Sequence, residues 1–136
     1  MDLTNNFPRS PYDMNADLVM LPRTTDKAIA SNEGTLGEYS YNCPLDQKLF
    51  TFLGVDAETF ASKVKEFSND DKKIAEWVNS EFSKTQEEKN DFNNKARHNA
   101  PEDEESKQWL EEQKKALNRD DYSTYFDNID ADEKRF

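Results

Sequence analysis

The sequence is poorest in the residues that most often announce a chemistry. Its 136 residues hold one cysteine, Cys43, and one histidine, His98. A lone cysteine excludes an intrachain disulfide and any multi-cysteine metal site. A lone histidine in a polar stretch leaves little room for histidine acid–base catalysis or for most transition-metal sites. Long apolar runs are also missing, and nothing approaches the ~20 residues of a membrane-spanning helix. The first residues, Met1-Asp2-Leu3-Thr4-Asn5-Asn6, lack the basic start and apolar middle of a signal peptide. Basic charge is in deficit, with 18 Lys and Arg against 29 Asp and Glu and a formal net charge of -11. Without a basic patch to displace counterions from phosphate, nucleic acid and membrane are not expected as partners. These gaps point to the cytoplasm, with no metal and no cofactor expected.

Large apolar residues are scarce as well. Leu, Ile, Val and Phe make up under a fifth of the chain, which with high net charge borders on the composition of disorder. Aromatic residues nevertheless reach 12%, and they fall at helical spacings, so a thin core built mainly of rings is expected. The fold class expected is all-α, a compact bundle of about six short helices with an extended N-terminal arm and no large sheet. One domain should span 1–136, divided into an arm (1–17), core helices (18–82) and polar outer helices with a C-terminal helix (83–136).

The arm follows from Pro8 and Pro11, which push their predecessors towards extended geometry; Leu3, Phe7 and Tyr12 should pack it across the domain. A first helix is predicted from Pro22 to Asn32, stopped by Gly34. The second starts at Pro44, carries Leu45, Leu49, Phe52 and Leu53 on one face, and ends at Gly54. Asp56 caps a third, with Phe60, Val64 and Phe67 inward, and Asn69-Asp70 opens a fourth, with Ile74, Trp77, Val78 and Phe82. These last three short helices read as the centre of the core. Ser83-Lys84-Thr85-Gln86 has a capping-box pattern for a helix to His98 with little apolar surface beyond Phe92 and Ala96. Pro101 begins another, bearing Trp109 and Leu110, with Glu102 to Glu105 solvated in its first turns. A last helix starts at Asp120 or Asp121. No internal repeat or low-complexity tract interrupts the pattern.

Four stretches form one connected motif: Leu18-Val19-Met20-Leu21-Pro22-Arg23-Thr24-Thr25-Asp26-Lys27-Ala28, Gly34-Thr35-Leu36-Gly37-Glu38-Tyr39, Tyr41-Asn42-Cys43-Pro44-Leu45-Asp46 and Phe52-Leu53-Gly54-Val55-Asp56-Ala57. With Leu3-Thr4 and Pro8-Arg9-Ser10-Pro11 at one end and Tyr125-Phe126-Asp127 and Ile129-Asp130 at the other, the chain resembles the bacterial family catalogued as domain of unknown function 5069. The likeness spans nearly the whole chain and is loose from about Ser83 to Leu117. It implies the same helical fold and adds no catalytic residue.

The polar residues of this motif are the candidate site: Arg23, Asp26, Lys27, Glu38, Tyr39, Tyr41, Cys43 and Asp46. Converging, they would bind a small anionic or polar metabolite. Arg23 would grip a carboxylate or phosphate with its planar fork, and Lys27, one turn on, would flank it. Cys43 opens a helix, where the dipole favours thiolate, and Tyr39 or Tyr41 would add a hydroxyl or a stacking face. The structural alternative is that Arg23 and Asp26 pair with each other or lock the arm, while Asp46 serves its own helix start. Asp127, Asp130, Asp132 and Glu133 fail the calcium-loop spacing, having no turn glycine. The alternative function is a protein–protein interaction module without catalytic activity, using the Trp77, Phe82 and Trp109 set or the arm; a protein partner or homodimer stays open, and no reaction type follows.

Overall fold

The computed structural model describes residues 1–135. Among them, seven helices and one two-residue hairpin account for the regular structure, so the fold is all-α. The hairpin pairs β1 (Met14–Asn15) with β2 (Leu18–Val19) antiparallel. Its turn, Ala16-Asp17, holds φ at 52° and 60°, the left-handed pair of a two-residue turn that matches strand twist. The arm expected to run extended to Asp17 therefore doubles back on itself before the first helix.

α1 (Leu21–Glu33) takes its N-terminal Pro from Pro22 and its stop from Gly34, whose φ of 72° closes the last turn through N–H bonds to Ala30 and Ser31. It is the buried axis of the molecule. Every residue from Leu21 to Ala30 is buried, including Arg23, Thr24, Thr25, Asp26 and Lys27. The centre of the core, expected in the following three helices, is shared with this polar one. α2 (Pro44–Leu53) is closed by Gly54, α3 (Ala57–Glu66) is capped by Asp56 and α4 (Asp71–Glu81) by Asp70. Apolar side chains of all four meet Leu18, Val19 and Phe126 in one core. Rings carry much of it: Tyr41, Phe50, Phe60, Trp77 and Phe82 make successive contacts, with centroids 5.2–6.1 Å apart.

α5 (Gln86–His98) is capped by Thr85 and Glu88 rather than from Ser83, because Ser83 turns left-handed at φ 45° and ends the preceding segment. It contributes two buried polar residues. Asn93 accepts from Val19 N–H at 3.0 Å and donates to the Asp17 carbonyl at 2.8 Å, so a helix side chain completes the hairpin's backbone bonds. Lys89 reaches Asn79 at 2.7 Å. α6 (Glu104–Ala116) starts after Asp103, not at Pro101, and rests on a small separate cluster of Leu110, Leu117, Tyr122 and Ala131. α7 (Tyr125–Asp132) starts at Thr124, four residues later than Asp120, since Thr124 accepts the Asp127 N–H as its cap. Phe126 is 1% exposed and edge-on to Tyr12 at 5.1 Å. Leu3 and Tyr12 pack the arm as expected; Phe7 does not, and remains 52% exposed.

Candidate functional site

The eight candidate residues separate into an internal network, a surface cleft and, for Tyr41 alone, the aromatic core. α1 supplies the internal part because its inward face is polar, and each buried charge there meets a partner from another element. Asp26 faces the arm: Arg9 donates to it from its backbone N–H at 2.8 Å and from its guanidinium at 3.0 and 3.1 Å, then bridges to Asp71 at 2.7 Å. Arg23 forms a bidentate pair with Glu133 just past α7, at 2.9 and 2.7 Å, and also donates to the Arg9 carbonyl. Lys27 donates to Asp46 at 2.7 Å and to Cys43 Sγ at 3.2 Å. The two ends of the chain thus close over α1. Ser10 and Tyr12 donate to Asp130 and Asp127, and Arg135 reaches Asp130, Glu133 and the Pro8 carbonyl.

Burial alone would destabilise these charges, and their partners outweigh it. It works against the Arg23 guanidinium, yet Glu133 holds the Arg23 pKa above its ordinary value. Glu133 is likewise held below the ordinary carboxylate value, because Arg23, Arg135 and the Tyr39 hydroxyl all favour its charged form. Tyr39 donates to Glu133 at 2.8 Å; burial and that bond push its phenol up, so it stays protonated. Tyr12 is raised to about 12, by burial first and then by the bond to Asp127. Asp46 is saturated: besides Lys27 it accepts from Thr24 Oγ1 at 2.8 Å and from the Asn42 and Cys43 N–H groups that precede α2. Tyr41 turns away into the aromatic core and donates to the Ala57 carbonyl at 2.5 Å. Among the described residues no buried side-chain nitrogen or oxygen lacks a partner.

Glu38 and Tyr39 instead face a cleft of about 830 Å³ between the arm's first turn and the 36–39 turn. Asp2 organises the arm side by accepting from the Thr4 N–H and hydroxyl. The Leu3 N–H donates to the Thr35 carbonyl at 2.9 Å. Gly37 is required at this junction, since at φ 62° a Cβ would lie 3.1 Å from the Leu3 oxygen and Thr4 Cα. The remaining walls are Asn5, Asn6, Phe7 and Asp132. Glu38 and Asp132 are exposed and have no hydrogen bond or ion pair among the described residues, and no Lys or Arg lines the cleft.

Other singled-out groups are placed plainly. His98 is exposed and donates from Nδ1 to the Asn94 carbonyl. Trp77 and Phe82 belong to the core, whereas Trp109 lies 6.2 Å from the Tyr125 ring and is 44% exposed. No group of His, Cys, Asp or Glu among the described residues has the arrangement of a metal site, and no described helix is long and apolar enough to cross a membrane. Arg9, Asp71, Glu133 and Arg135, all part of the network, lie outside the eight candidates, as does Asn93, which braces the hairpin. Arg9 falls in the Pro8-Arg9-Ser10-Pro11 stretch of the motif, whereas Asp71, Asn93 and Arg135 lie outside every stretch of it and no local spacing marks them.

Fold and site define a class: a small helical domain whose central helix buries several charges, each answered from a distant part of the chain. The chain belongs to the family described as a domain of unknown function (DUF5069), whose model matches residues 5–135. No curated protein matches it.

Proposed function

We propose that this protein binds a small, positively charged polar metabolite in the cleft between the arm and the 36–39 turn. The observation that carries this reading is the lining: two unpaired carboxylates, Glu38 and Asp132, two rings, Phe7 and Tyr39, and no cation. The cleft's 830 Å³ lies within the ~300–1,000 Å³ common for ligand sites. An ammonium or guanidinium group there gains from the carboxylates and from the Phe7 ring, the Tyr39 ring already lying 5.6 Å from the Arg23 guanidinium, and a net charge of -11 favours its approach. A small anionic metabolite draws less support. Its two candidate cations, Arg23 and Lys27, are already held by Glu133 and Asp46, and freeing either strips a buried carboxylate of its main partner.

Thermal unfolding tests the assignment directly, with putrescine, agmatine and choline on one side and phosphate and citrate on the other. An amine at a hundred times its Kd stabilises by about 2.7 kcal/mol, on the order of 10 °C for a domain of this size. That shift should vanish in Glu38→Gln, a surface change that leaves the unliganded melting temperature in place. Stabilisation by the anions alone, or an amine effect that survives Glu38→Gln, overturns the proposal.

A further inference from the structure

α2 and α5 leave a groove between them, separate in its lining from the cleft above. Pro44, Gln47, Lys48, Thr51 and Phe52 form one wall, spaced as a single face of α2, and Phe92, Lys95 and Ala96 form the other. The 99–102 segment lies at one end, and the open groove has a volume of about 870 Å³.

Two features set what the groove can hold. First, its floor is aromatic: Phe52 and Phe92 are stacked, with centroids 4.7 Å apart and planes 27° apart, and both are only half-buried. The two rings turn a face to each other and the Lys84 ammonium lies 5.0 Å over the Phe52 ring, so a flat ligand ring meets them edge-to-face or on the outer face of Phe92. Second, its charges are mostly answered within the wall. Lys95 pairs with Asp91 at 3.0 Å, and the His98 ring is oriented by the Asn94 carbonyl at 2.8 Å. Lys48, one helical turn before Phe52, is exposed and has no partner among the described residues. Glu102, the remaining charge, sits in the segment at that end. A docked peptide helix would need apolar anchors repeated along the groove, whereas the α2 wall between Pro44 and Phe52 is Gln47, Lys48 and Thr51.

The geometry points to a second binding site here, for a small planar aromatic molecule bearing one acidic group. The ring lies against Phe52 and Phe92, and the acid meets the Lys48 ammonium. The acid supplies direction more than affinity, because an exposed pair of charges contributes little in water.

A ¹⁵N–¹H NMR titration of the full chain tests the site with two probes of one shape, 2-naphthoate and the uncharged 2-naphthamide. Both should give saturable shifts confined to the 44–52 and 91–102 amides, with naphthoate the tighter. Lys48→Glu should weaken naphthoate several-fold and leave naphthamide unchanged. Phe92→Leu should weaken both; should that variant fail to fold, Thr51→Trp, an exposed change that fills the groove, should abolish both. Absent or non-saturable shifts, shifts centred elsewhere, or binding that survives Thr51→Trp overturn the site. Equal affinity for the two probes, or naphthoate binding unchanged in Lys48→Glu, overturns the assignment of an acidic ligand.

Discussion

Removing either partner of the Arg23–Glu133 pair should destabilise the protein strongly and unequally. Truncating one member of a buried ion pair costs about 3–5 kcal/mol, because the other is left buried and uncompensated. The structure ranks the two outcomes. In Arg23→Met, Glu133 keeps Arg135 and the Tyr39 hydroxyl, which places the loss near the lower end, about 3 kcal/mol. In Glu133→Gln, Arg23 loses its counter-charge and keeps only uncharged partners, the Gln amide oxygen, the Arg9 carbonyl and the Tyr39 ring 5.6 Å away, which places it near the upper end, about 5 kcal/mol. At about 4 °C per kcal/mol for a domain of this size, the melting temperature falls by about 12 °C and 20 °C. Urea unfolding followed by far-ultraviolet circular dichroism measures both, and the double variant should fall short of the summed losses by about 2 kcal/mol. Two single losses below about 1 kcal/mol, the behaviour of an exposed pair, refute the reasoning. So does strict additivity.

Two further predictions concern the same frame. Glu133 has its folded-state pKa lowered from 4.5, so its stabilisation is complete above that value and is lost as pH falls through the lower folded value; Asp130, raised from 3.8 by burial, acts in the opposite sense. Urea midpoints taken from neutral pH down to about 3 should therefore drop less steeply in Glu133→Gln, and an unchanged acid slope counts against the assignment. Asn93→Ala leaves the buried Val19 N–H without a partner and the Asp17 carbonyl, on an exposed turn residue, to water, a loss of about 1–3 kcal/mol. Hydrogen exchange should then quicken at Val19, and an unchanged rate there contradicts the bracing role.

Local features were legible in the sequence and distant ones were not. Pro44, Gly54, Asp56 and Asp70 mark helix ends in the sequence and do so in the structure, because capping needs only neighbours a few residues away. The Ala16-Asp17 hairpin is not legible in the sequence, since its turn holds neither glycine nor asparagine. The polar inner face of α1 was visible as a run of candidate residues, but its meaning was not. Arg23 and Glu133 are 110 residues apart, and no periodicity links them, so a buried structural pair and a ligand grip look alike along the chain. Glu38 differs from Arg23 only through what tertiary structure leaves unpaired beside it.

The closure of both chain ends over α1 also sets an order of events during synthesis. Arg23 leaves the ribosome 110 residues ahead of Glu133, an interval of about 6–22 s at ordinary elongation rates. Throughout it, the central helix carries a cation whose final counter-charge does not yet exist. The nascent chain can collapse around its rings before then, but α1 reaches its full burial only once α7 and Glu133 have been made.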